Sequence, residues 1–328
     1  MPSRHQGVAL IMVLLAMALV VMLAAGMVRQ QNLWVFKAGY HQAQQQAYSI
    51  ALGTETFAHR ILIKDLEDDK EQGDLVDSSE ELWSARAAIL PLDNGGVAEV
   101  QIDGLGGRIN LNDLLTPSGQ VDTLTRRRLE RLLAVLDIKQ VSVEALIDWI
   151  DTDEQTISAA GAEDGTYLMI EPSYRAANQP FVSLSELRLI AGMTEEAYNL
   201  LQPHVVVLPV SGLGINVNTA TAPVLASLHN DLTMADAEAI IDKRQEDRFE
   251  DIGEFLALPE FAGLGLNGQG LTLQTRFFDV VSRVTYDNRV TNFVSRAYRG
   301  AQGEVRTLYR SLGQKNRITK EPYTFSEG

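Results

Sequence analysis

The chain opens with its longest apolar run. From Val8 to Val28 there is no charged residue, and Arg29 closes the stretch. At about 1.5 Å per residue, a helix of that length matches a bilayer hydrocarbon core of roughly 30 Å. Beyond it the pattern becomes amphipathic: Ala47, Ile50, Ala51, Ala58, Ile61 and Leu62 recur at helical spacings. HQAQQQA (41–47) is polar but compatible with helix, and no Pro interrupts the segment. One long helix is predicted from Val8 to Leu66, half of it apolar all round and half with a single packed face. The acidic stretch LEDDKEQGDLVDSSEE (66–81) reads as a loop.

The period then changes to two. In VAEVQIDG (97–104), Ala98, Val100 and Ile102 face one side and Val97, Glu99 and Gln101 the other, as in a strand. Residues 113–270 return to helical spacing. Leu124, Leu129, Leu132, Leu133 and Leu136 form one amphipathic helix, and Val143, Leu146, Ile147 and Ile150 another. SELRLI starts a further helix at Ser185, with Glu186 in its first turn and Gly192 as its stop. Near the end, TRFFDVVSRVTYDNRVTNFVSRAYRG (275–300) predicts two strands about a turn at Asp287-Asn288, and GEVRTLYRSL (303–312) a third. The tail 313–328 is polar and expected to be mobile. GLGLNGQG (263–270) reads as a flexible connection.

A short repeat runs through the helical part. INLNDLL (109–115) and INVNTAT (215–221) both read Ile-Asn-x-Asn. Each is followed by helices, the second containing Ile-Asp. Two related small units are expected there.

Composition narrows the functions. The 328 residues allow an anchor and one or two cored domains. The net charge of −15 argues against general affinity for nucleic acid or anionic lipid. The absence of Cys excludes thiolate chemistry and disulfides. The basic leader favours an orientation with the bulk of the chain outside the cytoplasm. No GxSxG, HExxH or phosphate-loop motif is present and the five His are scattered, so no enzyme is expected. Residues 215–258 are similar to a helix-hairpin-helix unit. Their hairpin HNDLTMAD (229–236) has two Asp and no Gly, so it lacks a phosphate cradle and suits a structural or protein-binding use. Arg126, Arg127, Arg128 and Arg131 read as a solvated helix face.

Asp148-x-x-Asp151-x-Asp153-x-Gln155 leaves the end of a helix, and Glu163-Asp164 follow closely. This is no EF-hand: Thr156 stands where that loop needs Gly. Spacing alone favours a solvated acidic loop. Against that, so many carboxylates close together repel one another unless neutralised.

The segment before the apolar run resembles a type IV pilin leader, with Gly7 as its last residue. That resemblance implies cleavage between Gly7 and Val8 by a prepilin peptidase, methylation of the new N-terminus, and retention of the helix as membrane anchor and filament core. Such proteins mostly carry Glu at the fifth mature position; here it is Met12. QGVALIMVLL, GRINLND, DWIDTDEQ, GAEDGTY, PSYRAANQP, SLSELRLI and INVNTATAPVL together resemble the K subunit family of type II secretion minor pseudopilins. That family usually lacks the Glu as well. An unpaired carboxylate in a bilayer costs about 2.5–3.5 kcal/mol on insertion scales, and a subunit with nothing above it has no partner for one.

The resemblance implies an α+β fold. A pilin-like helix-plus-antiparallel-sheet domain (29–112 and 271–312) is interrupted by an all-α, helix-hairpin-helix-like insertion (113–270), after a leader (1–7) and a transmembrane helix (8–28). It implies a single-pass protein of the bacterial inner membrane with its C-terminal domain in the periplasm. Its implied place is the pseudopilus tip, assembled with I and J subunits and a further minor pseudopilin (H), with possible contact with secreted proteins and no nucleic acid partner; the alternative readings are a membrane-anchored helix-hairpin-helix nucleic-acid-binding protein and the tip pilin of another type IV filament. It also implies a structural Ca²⁺ in the helical domain. The candidate ligands are Asp151, Asp153, Glu163 and Asp164, with Gln155 and Asn178 in support.

Overall fold

The structure is a computed structural model that describes residues 6–92, 95–287, 289–312 and 315–324. The first helix, α1, runs Gln6–Gln72, so it is 67 residues long and about 100 Å end to end. It is the one described helix long and apolar enough to cross a membrane, and the apolar part is exposed throughout. Val8 and Met12 lie on that exposed portion, with Gly7 in the same first turns. The helix continues past Leu66, so the expected loop starts six residues late. LEDDKEQ has no Pro or Gly to stop it, and Gly73, at φ 76°, supplies the stop.

The elements that follow are α2 (Leu82–Ala85), β1 (Ala87–Pro91), β2 (Val97–Gly104) and β3 (Ile109–Asn110). Next come α3 (Thr123–Val135), α4 (Val143–Ile150), α5 (Asp164–Tyr167), α6 (Glu195–Leu201) and β4 (Val205–Val206). A second run holds β5 (Ile215–Asn216), α7 (Ala222–Ala226), α8 (Met234–Glu246), α9 (Ile252–Leu256) and β6 (Leu271–Thr272). The chain closes with β7 (Phe277–Tyr286), β8 (Arg289–Arg299), β9 (Val305–Leu312) and β10 (Pro322–Thr324).

Six strands form one sheet in the order β10-β1-β2-β7-β8-β9. All its pairings are antiparallel except β1 with β10. The second half of α1 lies across this sheet. Ala47 and Ala51 pack on Ala98, Val284 and Phe293; Ala58 and Leu62 pack on Val100, Ile102, Phe278 and Val280. The small side chains let the helix approach closely. Polar contacts fix its rotation: Thr54 and Ser282 share a 2.7 Å hydrogen bond, and buried Glu55 accepts from Arg310 at 2.7 and 3.0 Å. Arg299, 3% exposed, donates to Leu62 O and the carboxylates of Asp65 and Asp77, tying helix to sheet.

Two strands of this sheet depart from expectation. β1 was not predicted, because AAILP shows no alternation. The tail was expected to be mobile, yet residues 315–324 are docked. Gln101 Oε1 accepts from Thr319 N at 2.8 Å and Lys320 N at 3.0 Å, and β10 then pairs with β1. Residues 1–5, 313–314 and 325–328, and Asn288 of the predicted turn, lie outside the described residues.

The remaining core is a helical block whose buried side chains run from Ile109 to Phe261. It begins slightly earlier than residue 113, since Ile109 and Leu111 are buried in it. It meets the sheet where Leu105, Val206 and Leu208 pack on Phe277. The block contains the same construction twice. β3 pairs in parallel with β4, and β5 with β6. Asn112 grips Phe181 by both backbone groups, accepting from its N–H at 2.9 Å and donating to its carbonyl at 3.0 Å. Asn218 grips Phe249 in the same way, at 3.1 and 2.9 Å. Each Asn stands two residues after the strand Asn of its Ile-Asn-x-Asn, which explains why that motif recurs.

Of the four arginines of α3, Arg127 is solvated as expected and the other three are engaged. Arg128 is 6% exposed and donates to the carbonyls of Gln269 and Gly270; Arg131 donates to Leu228 O, and Arg126 pairs with Glu130 and Glu144. The glycine-rich connection 263–270 is thereby anchored at its end. Arg131 also occupies the hairpin between α7 and α8, where a helix-hairpin-helix unit would hold phosphate.

Candidate metal centre

The acidic motif lies at the end of α4. Ser142 caps that helix by accepting from Ala145 N, and its apolar positions are buried. Asp148 shares this buried side and is fully enclosed. Its carboxylate accepts from Ile157 N at 3.0 Å and Ala162 N at 2.8 Å, folding the loop after the helix back over its end. Gly161 is required there, because a Cβ would stand 2.0 Å from Asp148 Oδ2. Asp151 follows at the helix C-cap, and the folded loop returns Glu163 beside it. Carboxylate oxygens of Asp148, Asp151 and Glu163 all lie within 4.8 Å of one another.

Three features make this a candidate cation site. Glu163 is 4% exposed, and neither of its oxygens has a hydrogen-bond donor. Asp151 Oδ1 and Asn178 Oδ1 are likewise buried without a donor. Burial, reinforced by the neighbouring carboxylates, pushes Asp151 up to about 6 and Glu163 up to about 7. The orphaned atoms are all oxygens, the ligand type that hard divalent cations take in sets of six to eight.

The other candidates are placed differently. Asp153 is exposed, its Oδ1 accepting from Gln155 N and its carbonyl from Asn178 Nδ2 at 3.0 Å. Asn178 sits at φ 47°, a left-handed conformation that Asn tolerates and that brings its amide to this loop. Asp164 is committed elsewhere, accepting from Arg175 and from Ala176 N. Gln155 is exposed. Asp148 is the residue the ligand expectation left out, although it heads the motif. Its position on the buried face of α4 was the available signal.

A second carboxylate group, Asp65, Asp77 and Glu81, joins α1 to the sheet. It differs in containing its own cation, because Arg299 donates to both aspartates. Arg248 pairs with Asp74 and lies 3.8 Å from Glu81. Among the described residues, the α4 group has no such guanidinium.

Comparison with known proteins places the whole arrangement. Family models described as "Type II secretion system (T2SS), protein K" match residues 107–210 and 215–274, one for each half of the helical block. Over 319 residues the chain is 36% identical to type II secretion system protein K of Pseudomonas aeruginosa, covering 96% of this chain and 95% of that protein. The chain belongs to the type II secretion system protein K family. Its function as a minor pseudopilin of type II secretion follows from that membership. The protein K of Pectobacterium carotovorum is 33% identical over 74% of this chain and 76% of its own length. A solved chain from the GspK-GspI-GspJ complex of enterotoxigenic Escherichia coli superposes with a TM-score of 0.75 at 26% identity, covering 85% of this chain and all of the other. The readings as a K-family minor pseudopilin and as an α+β chain behind a long apolar helix stand; the nucleic-acid reading is not favoured.

Proposed function

We propose that this chain is the tip subunit of the pseudopilus, anchored by α1 in the inner membrane with its sheet and helical block in the periplasm. It acts by assembly, not catalysis. It associates with I and J subunits, initiates the filament and so supports export of folded proteins. The observation that carries this reading is the superposition on the solved chain of the GspK-GspI-GspJ complex, complete over that chain. The bulk of the helical block beyond the sheet also supports it, because that block obstructs a subunit stacking above. Met12, apolar and 67% exposed, leaves no buried charge waiting for a neighbour. Cleavage after Gly7 and methylation at Val8 release α1 for extraction from the bilayer.

The α4 loop holds a structural Ca²⁺. Asp148, Asp151 and Glu163 are its carboxylate ligands, and Asn178 and Asp153 belong to the same loop system. The donorless oxygens of Asp151 and Glu163 support this assignment. The cation neutralises the cluster and fixes the loop of 151–162 on the helical block. Co-purification of the full chain with I- and J-type pseudopilins tests the assembly reading; a chain that never associates with them rejects it.

A further inference from the structure

Several arginines packed into this fold have acceptors for their terminal nitrogens. Arg128 and Arg244 each donate to two backbone carbonyls, Arg296 to Asp279 and Val207 O, and Arg299 to two carbonyls and two carboxylates. Arg108, half-buried, differs. It follows β2 in the turn that enters the helical block, and it makes no side-chain hydrogen bond or ion pair with any described residue. Burial lowers its pKa even though Asp279 and Asp103 lie near enough to oppose the shift; Arg317 and Arg296 add to the lowering.

The two carboxylates are already in use. Asp279 accepts from Arg296 at 2.8 Å and from Arg317 at 3.4 Å, and Lys320 lies 3.0 Å from Asp103. Arg276 lines the same cavity as Arg108 and has no acceptor among the described residues. Arg108, Arg296, Arg317 and Lys320 thus lie about Asp103 and Asp279, and Arg276 lines the cavity beside Arg108. This is a positive island in a chain of net charge −15. Arg108 and Arg276 face a cavity of about 380 Å³, which Gln274, Leu213, Gly214 and Phe277 help to line. A half-buried guanidinium without a protein acceptor is free to take one from a ligand, and its planar fork matches two oxygens of one anionic group.

We propose that this cavity, at the joint between sheet and helical block, is an oxyanion-binding site in which Arg108 and Arg276 hold the ligand. Its volume accommodates more than a lone ion, so a carboxylate carried on an acidic peptide segment fits it as well as free phosphate does.

The test is isothermal titration of the full chain in detergent at fixed ionic strength. One arm uses inorganic phosphate, the other a capped di-glutamate peptide with its di-glutamine counterpart as control. Saturable binding of at least one anion is expected, with no binding of the glutamine peptide. Arg108→Met and Arg276→Met should each weaken it about tenfold or more, the range for losing charge-assisted hydrogen bonds. Gln274→Glu keeps both arginines and should also weaken it, by setting a carboxylate against the ligand. Tighter binding of peptide than phosphate identifies a protein-borne carboxylate as the source, and the reverse a free oxyanion. No saturable binding of either anion, or equal affinity in the wild type and all three variants, overturns the proposal.

Discussion

Removing the proposed Ca²⁺ from the α4 loop should destabilise the protein, and removing one of the loop's carboxylates should stabilise the metal-free form. Two unit charges 4.8 Å apart, the outer limit of the cluster, repel by about 3.5 kcal/mol at an effective dielectric constant of 20. Asp148, Asp151 and Glu163 offer no internal cation, and this repulsion stands unless a metal or protons relieve it. A ligand at a hundred times its dissociation constant stabilises by about 2.7 kcal/mol. For a protein of this size class, each kcal/mol moves the melting temperature by roughly 2–4 °C. Saturating Ca²⁺ should therefore raise the melting temperature by about 5–10 °C over EDTA. Trp149 emission suits the assay, because that indole packs on Tyr167 at 5.2 Å beside the loop. Glu163→Gln should abolish the calcium response yet melt higher than the wild type in EDTA, since it removes charge from a buried cluster. The reasoning fails if EDTA leaves the wild type unchanged, or if Glu163→Gln melts lower than the wild type in EDTA.

Three further outcomes follow from the fold. Burial and the neighbouring Asp65 and Asp77 push Glu81 up to about 9 from an ordinary 4.5. The folded state thus holds a proton that the unfolded chain releases, and stability should fall as pH rises between about 4.5 and 9. Glu81→Gln should flatten that dependence in melts taken across the range. Asn218→Ala strands the backbone N–H and carbonyl of Phe249 and should cost about 2–4 kcal/mol in denaturant unfolding; Asn112→Ala should cost a similar amount through Phe181. Ending the chain after Leu312 should cost about 1–3 kcal/mol and speed hydrogen exchange in β1, whose edge β10 covers.

The parts that could be read from the sequence were those governed by local pattern. The apolar run and its amphipathic sequel gave α1 to within a few residues, and alternation gave β2 with its bounds. The Ile-Asn-x-Asn repeat pointed to the paired units, because each Asn does the same local work twice. What stayed hidden depends on distant partners. β1 is a strand through its pairing with β2 and β10, and β10 through its pairing with β1 across more than 230 residues of chain; neither carries a period-two signal. Arg128 looked solvated because its acceptors, Gln269 and Gly270, are supplied by a remote loop. In the acidic motif, spacing located the loop that folds back over the end of α4. It could not show that Asp164 turns to Arg175 while Asp148 turns inward.

Native mass spectrometry of the detergent-solubilised protein, co-expressed with I- and J-type pseudopilins and a prepilin peptidase, tests the central claim most directly. The account predicts one complex containing all three subunits in equal number, with this chain beginning at Val8. A chain that still carries residues 1–7 and migrates alone would contradict it.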